Sequence, residues 1–457
     1  MIMKKRKHYE MAIVFLLFLV LCFIILTNFS FIWRSRNSIL SSNENFAEMP
    51  RAKLRTITRR DRQLHCGSQI SCDRTQLRYD LCSVNGSTVL DPTTSTFFVV
   101  GPANLNSVEK IKPYPRKFED FIMAQIKELT ITLSPTSPPC QIQHSAPALV
   151  FSVGGYTGNF FHDFNDGIIP LFITVNTIFP DQDFVIVVSE APDWWVTKYG
   201  DLLNTFTRHP IVTLKDTNTH CFPSAIFGLI SHGFMTINQT LMPNHRTFLH
   251  FRALLEKAYN QKGLNLNPPT SSPGWARPRL LLASRKGSTG REIVNENEVI
   301  KAMEETGFEV IVFEPKYNTS LVESYALVNS SHALVGVHGA ALTHSLFLRA
   351  GAVFLQVVPI GVEWASEAFF GRVGRGLELE YMEYRIGAEE SSLVEKYGSE
   401  SLLVKDPHGV QVQGKGWPGE IMDIYLKEQN VKLDLRRFRK FLKIAYSKAR
   451  RFMDREG

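Results

Sequence analysis

The stretch GVHGAALTHSLFLRAGAVFLQVVP occupies residues 336–359. An apolar run ends in a turn carrying His338 and Gly339; a segment of helical length follows, and a second apolar run closes at Pro359. Short apolar runs joined by a helical segment read as strand, helix and strand of a parallel sheet. The preceding sequence repeats the pattern. PRLLLASRK (278–286) offers a buried strand at 280–283, NENEVIKAMEETGF (295–308) a helix, and EVIVFEP (309–315) the next strand. SLVESYALVNSS is a further helix and HALVGVHG a further strand. Such alternation predicts a parallel sheet covered on both faces, an α/β fold of Rossmann-like type.

Toward the N-terminus the pattern is less regular, with strand candidates at 148–155, 183–189 and 210–214. Residues 66–457 exceed the ~250–300 residues at which a single core stops growing, so two domains are expected. The Pro/Ser-rich segment at 267–278 is a better boundary than the one at 134–140. The expected partition is an N-terminal domain at 66–270, a Rossmann-like C-terminal domain at 271–430 and a basic amphipathic C-terminal helix at 431–457. Two such domains facing one another would create a cleft.

Lys4, Lys5, Arg6 and Lys7 precede residues 11–33, which carry no charged side chain. That run meets the roughly 20 residues a membrane helix needs, and no small-x-small cleavage site follows it. The expected layout is a cytoplasmic tail at 1–10, an anchor at 11–33 and a basic polar stem at 34–65. Apart from Cys22, the cysteines are Cys66, Cys72, Cys82, Cys140 and Cys221, an odd set compatible with an oxidised lumenal framework. Asn85, Asn238, Asn318 and Asn329 head glycosylation sequons that a lumenal chain would offer. A net charge of +7 favours acidic lipid headgroups or polyanionic glycans, and nucleic acid is an unsuited partner for a lumenal protein.

In open parallel sheets, ligands bind beyond the carboxyl ends of the strands. Gly339 and the small Ala340 would let backbone approach a diphosphate, and His338 could donate to it or to a sugar; the competing reading is a plain turn with a packed histidine. A second loop, SRKGSTGREIVN (284–295), puts Arg285, Lys286 and Arg291 at another strand end. Guanidinium forks suit phosphate oxygens, whereas Lys286 could equally be solvated. Neither a Gly-x-Gly-x-x-Gly turn nor a Gly-Lys-Ser/Thr phosphate loop is present, which argues against dinucleotides and ATP and leaves a nucleotide-sugar. In the N-terminal half, SVGGYTGNFFHDFNDGIIPLF (152–172) places polar residues among aromatics. His162, Asp163 and Asp166 are candidates for the base that takes a proton from an acceptor hydroxyl, although either aspartate could instead cap a helix. Asn159 and Asn165 are the acceptor-binding candidates.

GNFFHDFND, SRKGSTGREIVNENEV, the 336–359 stretch, EYMEYRI (380–386) and KEQNVKLDLRRFRKFLKIA resemble glycosyltransferase family 61, its plant members especially. The resemblance runs from about residue 72 to the C-terminus. It implies a GT-B architecture of two Rossmann-like domains, an inverting mechanism, a UDP-sugar co-substrate, no required metal and no other cofactor. Asp181-Gln182-Asp183 reads as a turn. It also implies that the last helix packs back across the domain interface, with a membrane-surface helix as the rival. Residues 72–98 look most like the plant xylan-related branch. His344 stands where many members carry asparagine, and Ala341 replaces a common glycine; His344 and Glu363 join the donor-binding candidates. The expected protein is a Golgi type II pentosyltransferase adding xylose or arabinofuranose to xylan or a related glycan, alone or in a complex with other Golgi transferases. An N-glycan or protein-directed transferase and a silent glycan-binding relative are the alternatives.

Overall fold

The computed structural model describes residues 70–101, 107–263, 277–287, 290–413 and 419–456. The tail, anchor and stem expected at 1–65 lie outside the described residues, as does most of the 267–278 boundary segment. Among the described residues no helix is long and apolar enough to cross a membrane.

The C-terminal sheet has five parallel strands in the spatial order Glu309–Phe313, Arg279–Ala283, Ala333–Val337, Val353–Val358 and Glu380–Arg385. Its central strands are buried along their whole length, as a sheet covered on both faces requires. In sequence rank the order is two-one-three-four-five, a doubly wound arrangement whose direction of winding reverses between Arg279–Ala283 and Ala333–Val337. Ligands bind at that reversal, because the flanking loops diverge there and leave a crevice. The helix Glu296–Thr306 ends where Gly307 takes a left-handed φ of 117°. The segment after Gly339 is not the expected α-helix but a 3₁₀ helix, Ala340–Phe347, whose side chains from Leu342 to Phe347 are all buried. Packing on every side overrides the helical pattern there.

Among the described residues the N-terminal sheet has ten strands and is mixed. Its parallel part, His220–Phe227, Ala148–Ser152, Val185–Ser189 and Val212–Thr213, contains the three expected strands. Leu81–Asp91 pairs antiparallel to His220–Phe227 and carries the sheet on through Thr96–Val100, Leu129–Ser134 and Ser107–Ile111. This extension departs from the simple Rossmann-like expectation for the N-terminal half.

One helical run follows the Ala148–Ser152 strand: Phe160–His162 is α, Asp163–Ile168 is π, and Ile169–Ile178 is α again. Pro170 cannot donate a backbone hydrogen bond, and the Ile169 N–H reaches back to the Phe164 carbonyl, five residues away. A proline inside a helix is a recognised cause of such a local widening. Gly167 therefore lies in the middle of the helical run.

Between the sheets, Phe164 and Phe172 from that run, Phe251 from Phe248–Gly263, and Phe347 share one core cluster with Leu149 and Ile186 of one sheet and Leu281 and Leu334 of the other. The last helix, Leu435–Glu456, lies chiefly on the C-terminal sheet, and its Phe452 joins the cluster between the sheets. Its Phe438, Leu442, Ala445 and Ala449 are buried with Leu280, Val335 and Leu355 on the C-terminal sheet. Disulfides join Cys72 to Cys82 and Cys140 to Cys221. Cys66 lies outside the described residues.

Candidate active site

At the reversal point two arginines converge on one glycine. A Cβ on Gly339 would stand 2.7 Å from Arg285 Nη1 and 3.4 Å from Arg291 Nη1. Arg291 Nη1 also donates to the His338 carbonyl at 3.1 Å. Two features fix the Arg291 loop. Gly290 takes a φ of 72° with its α-carbon so close to the Lys427 backbone that a Cβ would lie 2.4 Å from the carbonyl oxygen. The Arg291 N–H donates to the carbonyl of buried Gln429, whose own side chain is tied to both backbone groups of Ile360. Burial and the adjacent Arg285 push the Arg291 pKa down to about 9, and burial lowers that of Arg285. Both are held where an anion would relieve the cost of keeping them charged.

His338 is buried, and burial with both arginines holds its pKa well below the ordinary histidine value. The Gln356 amide lies 2.9 Å and the Ser366 hydroxyl 3.1 Å from its Nδ1. The Tyr381 hydroxyl lies 2.8 Å from Gln356 Oε1 and 2.9 Å from Glu383 Oε1, so amide, hydroxyl and carboxylate form one chain that ends on the ring. The other candidates take different places. Lys286 is exposed and pairs with Glu296 at 3.0 Å. His344 is buried: it stacks on Phe160, meets Phe313 edge-on and donates from Nδ1 to the Ala341 carbonyl at 2.8 Å. Ala340 opens the 3₁₀ helix, and half-buried Glu363 opens the helix Glu363–Ser366 beside exposed Trp364.

On the N-terminal side, the helical run brings His162 and Asp166 together, Nδ1 to Oδ2 at 2.8 Å. Burial alone would raise the Asp166 pKa, but Arg116, whose Nε donates to Oδ1 at 2.8 Å, and His162 outweigh it and hold the carboxyl below its ordinary range. Tyr114 donates a further hydrogen bond at 3.1 Å. An ionised Asp166 must take a proton from the His162 Nδ1–H, so the Arg116 Nη2 contact to Nδ1 at 3.1 Å is proximity rather than donation. A neutral ring held in this way carries its lone pair on Nε2. Tyr156 stacks on the ring with centroids 4.2 Å apart.

Asp163 is differently employed: it accepts from Tyr199 at 2.8 Å and from the Gly158 N–H at 3.2 Å, and burial raises its pKa. Asn159 caps the helical run by accepting from the Phe161 N–H, and buried Asn165 accepts from the Met235 N–H. The two halves meet through rings. Phe161 contacts Phe369 and Phe370, both of which contact His338. Arg116, Tyr114, Gln356 and Phe369 were not foreseen, because only the fold carries them to the site; no local pattern marks them. Asn85, Asn238 and Asn318 are exposed and Asn329 is half-buried. Asp181-Gln182-Asp183 lies in the expected turn.

The model of the Glycosyltransferase 61 family matches residues 158–355, which span the helical run, the arginine loop and the His338 turn. Xylan glycosyltransferase MUCI21 of Arabidopsis thaliana is 40% identical over 400 residues, covering 83% of this chain and 80% of that protein. Alpha-1,3-arabinosyltransferase XAT3 of Oryza sativa subsp. japonica is 35% identical, covering 82% and 65%. Beta-1,2-xylosyltransferase XYXT1 of the same rice is 34% identical, covering 82% and 83%.

Proposed function

The chain belongs to glycosyltransferase family 61, in its plant xylan-related branch, and on that premise we propose that it transfers a pentose from a UDP-sugar to xylan or a related glycan with inversion. The observation that carries the reading is the convergence of Arg285 and Arg291 on Gly339 at the reversal point of the parallel sheet. There the guanidinium groups would take the charge of the departing diphosphate, and the missing Cβ leaves room for it. His338 would hydrogen-bond to the donor.

Across the ring contacts, His162 Nε2 would accept the acceptor hydroxyl's proton as that oxygen bonds to the anomeric carbon and the bond from that carbon to the phosphate oxygen breaks. Asp166 would fix the ring and stabilise the imidazolium. Two sheets with a site between them accord with a GT-B arrangement. The disulfides and the exposed sequons favour a lumenal body, and residues 11–33 a Golgi type II anchor.

The test is turnover by the purified full chain offered UDP-xylose, UDP-arabinofuranose and UDP-N-acetylglucosamine with xylo-oligosaccharides. Extension from one pentose donor is the expected result. Extension only from UDP-N-acetylglucosamine, or no UDP binding at all, would overturn the reading.

A further inference from the structure

Beside the His162–Asp166 pair lies an arginine that this mechanism does not use. The Arg78 guanidinium lies 4.5 Å from the Phe234 ring centre and 5.1 Å from that of Phe118. Arg116 shares both rings, at 5.0 and 6.0 Å. The two arginines differ in their partners. Arg116 binds Asp166 and Glu119. Arg78 has no carboxylate or carbonyl within hydrogen-bond reach of its side chain among the described residues, because the nearby oxygens are engaged: Glu119 accepts from Arg116 and Tyr156, and Asp166 from Arg116, Tyr114 and His162. Burial and Arg116 push the Arg78 pKa down to about 10, so the cation is held there at a cost.

The rings continue across to the other half. Phe234 meets Trp364 and Phe369 with centroids 6.1 and 5.4 Å apart, and Trp364 is 40% exposed. A half-buried fork of donors, backed by aromatic faces and next to the candidate base, matches a planar or tetrahedral anion beside the apolar face of a sugar.

We infer that Arg78, with Phe234 and Trp364, forms a subsite for an anionic group of a substrate: a carboxylate carried by the acceptor glycan or a phosphate of the donor. The inference rests on the transfer reading for its place in the site, but its binding test does not need turnover. The full chain and its Arg78→Lys and Arg78→Gln variants would be titrated calorimetrically with a uronic-acid-bearing xylo-oligosaccharide, its neutral counterpart and UDP. Circular dichroism would establish that each variant folds.

Weakening of about tenfold or more for the acidic oligosaccharide, with little change for the neutral one and for UDP, assigns the subsite to an acceptor carboxylate. The same loss confined to UDP assigns it to the donor. Retained affinity for all three ligands, or equal loss for the acidic and neutral oligosaccharides with UDP unchanged, overturns the inference. Lysine keeps the charge but not the fork, so full rescue by Arg78→Lys would overturn the bidentate geometry. Failed turnover by the parent chain with these binding differences intact would sink the transfer reading alone.

Discussion

His344 of the C-terminal half stacks on Phe160 of the N-terminal half, ring centroids 4.2 Å apart and planes 21° from parallel. The contact fixes the 3₁₀ helix after Gly339 against the helical run that carries His162 two residues on. His344 is thus employed in packing between the halves.

That burial has a pH signature. Desolvation pushes the pKa of His344 down to about 4, and burial with neighbouring arginines does the same for His332. Both are neutral when folded but take up a proton when unfolded below pH 6.5, so their contribution to stability is full above pH 6.5 and is lost as pH falls toward 4. Each contributes a slope of up to about 1.4 kcal/mol per pH unit in that window. His344→Phe keeps a ring against Phe160 and should remove one such increment, as read by denaturant unfolding between pH 7 and 4.5. An unchanged slope would refute the assignment.

The His162–Asp166 pair predicts a split in kinetics. His162→Ala should lower kcat by about 10²- to 10⁴-fold with the KM for donor little changed, since on the proposed reading the ring acts on the acceptor. Asp166→Asn frees the ring from its ionised partner and should lower kcat as well while the protein stays folded. Loss of donor affinity instead would move His162 to the donor side.

On the proposed reading Arg291 sets stability against UDP binding. Its charge is disfavoured in the unliganded fold, so Arg291→Met should keep or raise thermal stability while abolishing the increase in Tm that UDP gives the parent protein. Gly339→Ala, which pushes its Cβ against the Arg285 head, should weaken UDP about tenfold without unfolding the chain. A variant that melts early yet binds UDP normally would make Arg291 a structural residue.

The disulfides are predicted to differ in weight. Cys140–Cys221 spans a separation of 81 residues and Cys72–Cys82 one of 10. Loop-closure entropy gives losses of about 4.5 and about 2.7 kcal/mol on replacing each pair by serine. Urea unfolding of the two double variants measures the order, and equal losses would contradict it.

Much of the site was legible because its chemistry follows directly on strands. Arg285 and His338 each lie just past an apolar run whose length and alternation mark it as a buried strand, and parallel strands put their carboxyl ends on one edge. The antiparallel extension of the N-terminal sheet was not legible, since its strands are short and their partners lie far apart in sequence: Leu81–Asp91 pairs with His220–Phe227. Glu380–Arg385 was missed as a strand because an edge strand rich in charged residues lacks an apolar run.

The sequence by itself determined the doubly wound C-terminal sheet, the arginine loop, the glycine turn and the family, because each is written in local periodicity or contiguous motif. Only the tertiary structure decided what His162, Asp163 and Asp166 each do. The three are neighbours on one helical run and chemically similar as candidates, yet Arg116, some fifty residues upstream, ionises Asp166 and so orients His162, while Tyr199 and the Gly158 N–H engage Asp163. A side chain's protonation and direction are set by the partners that the fold brings within hydrogen-bond reach, and those partners leave no mark in the sequence around it.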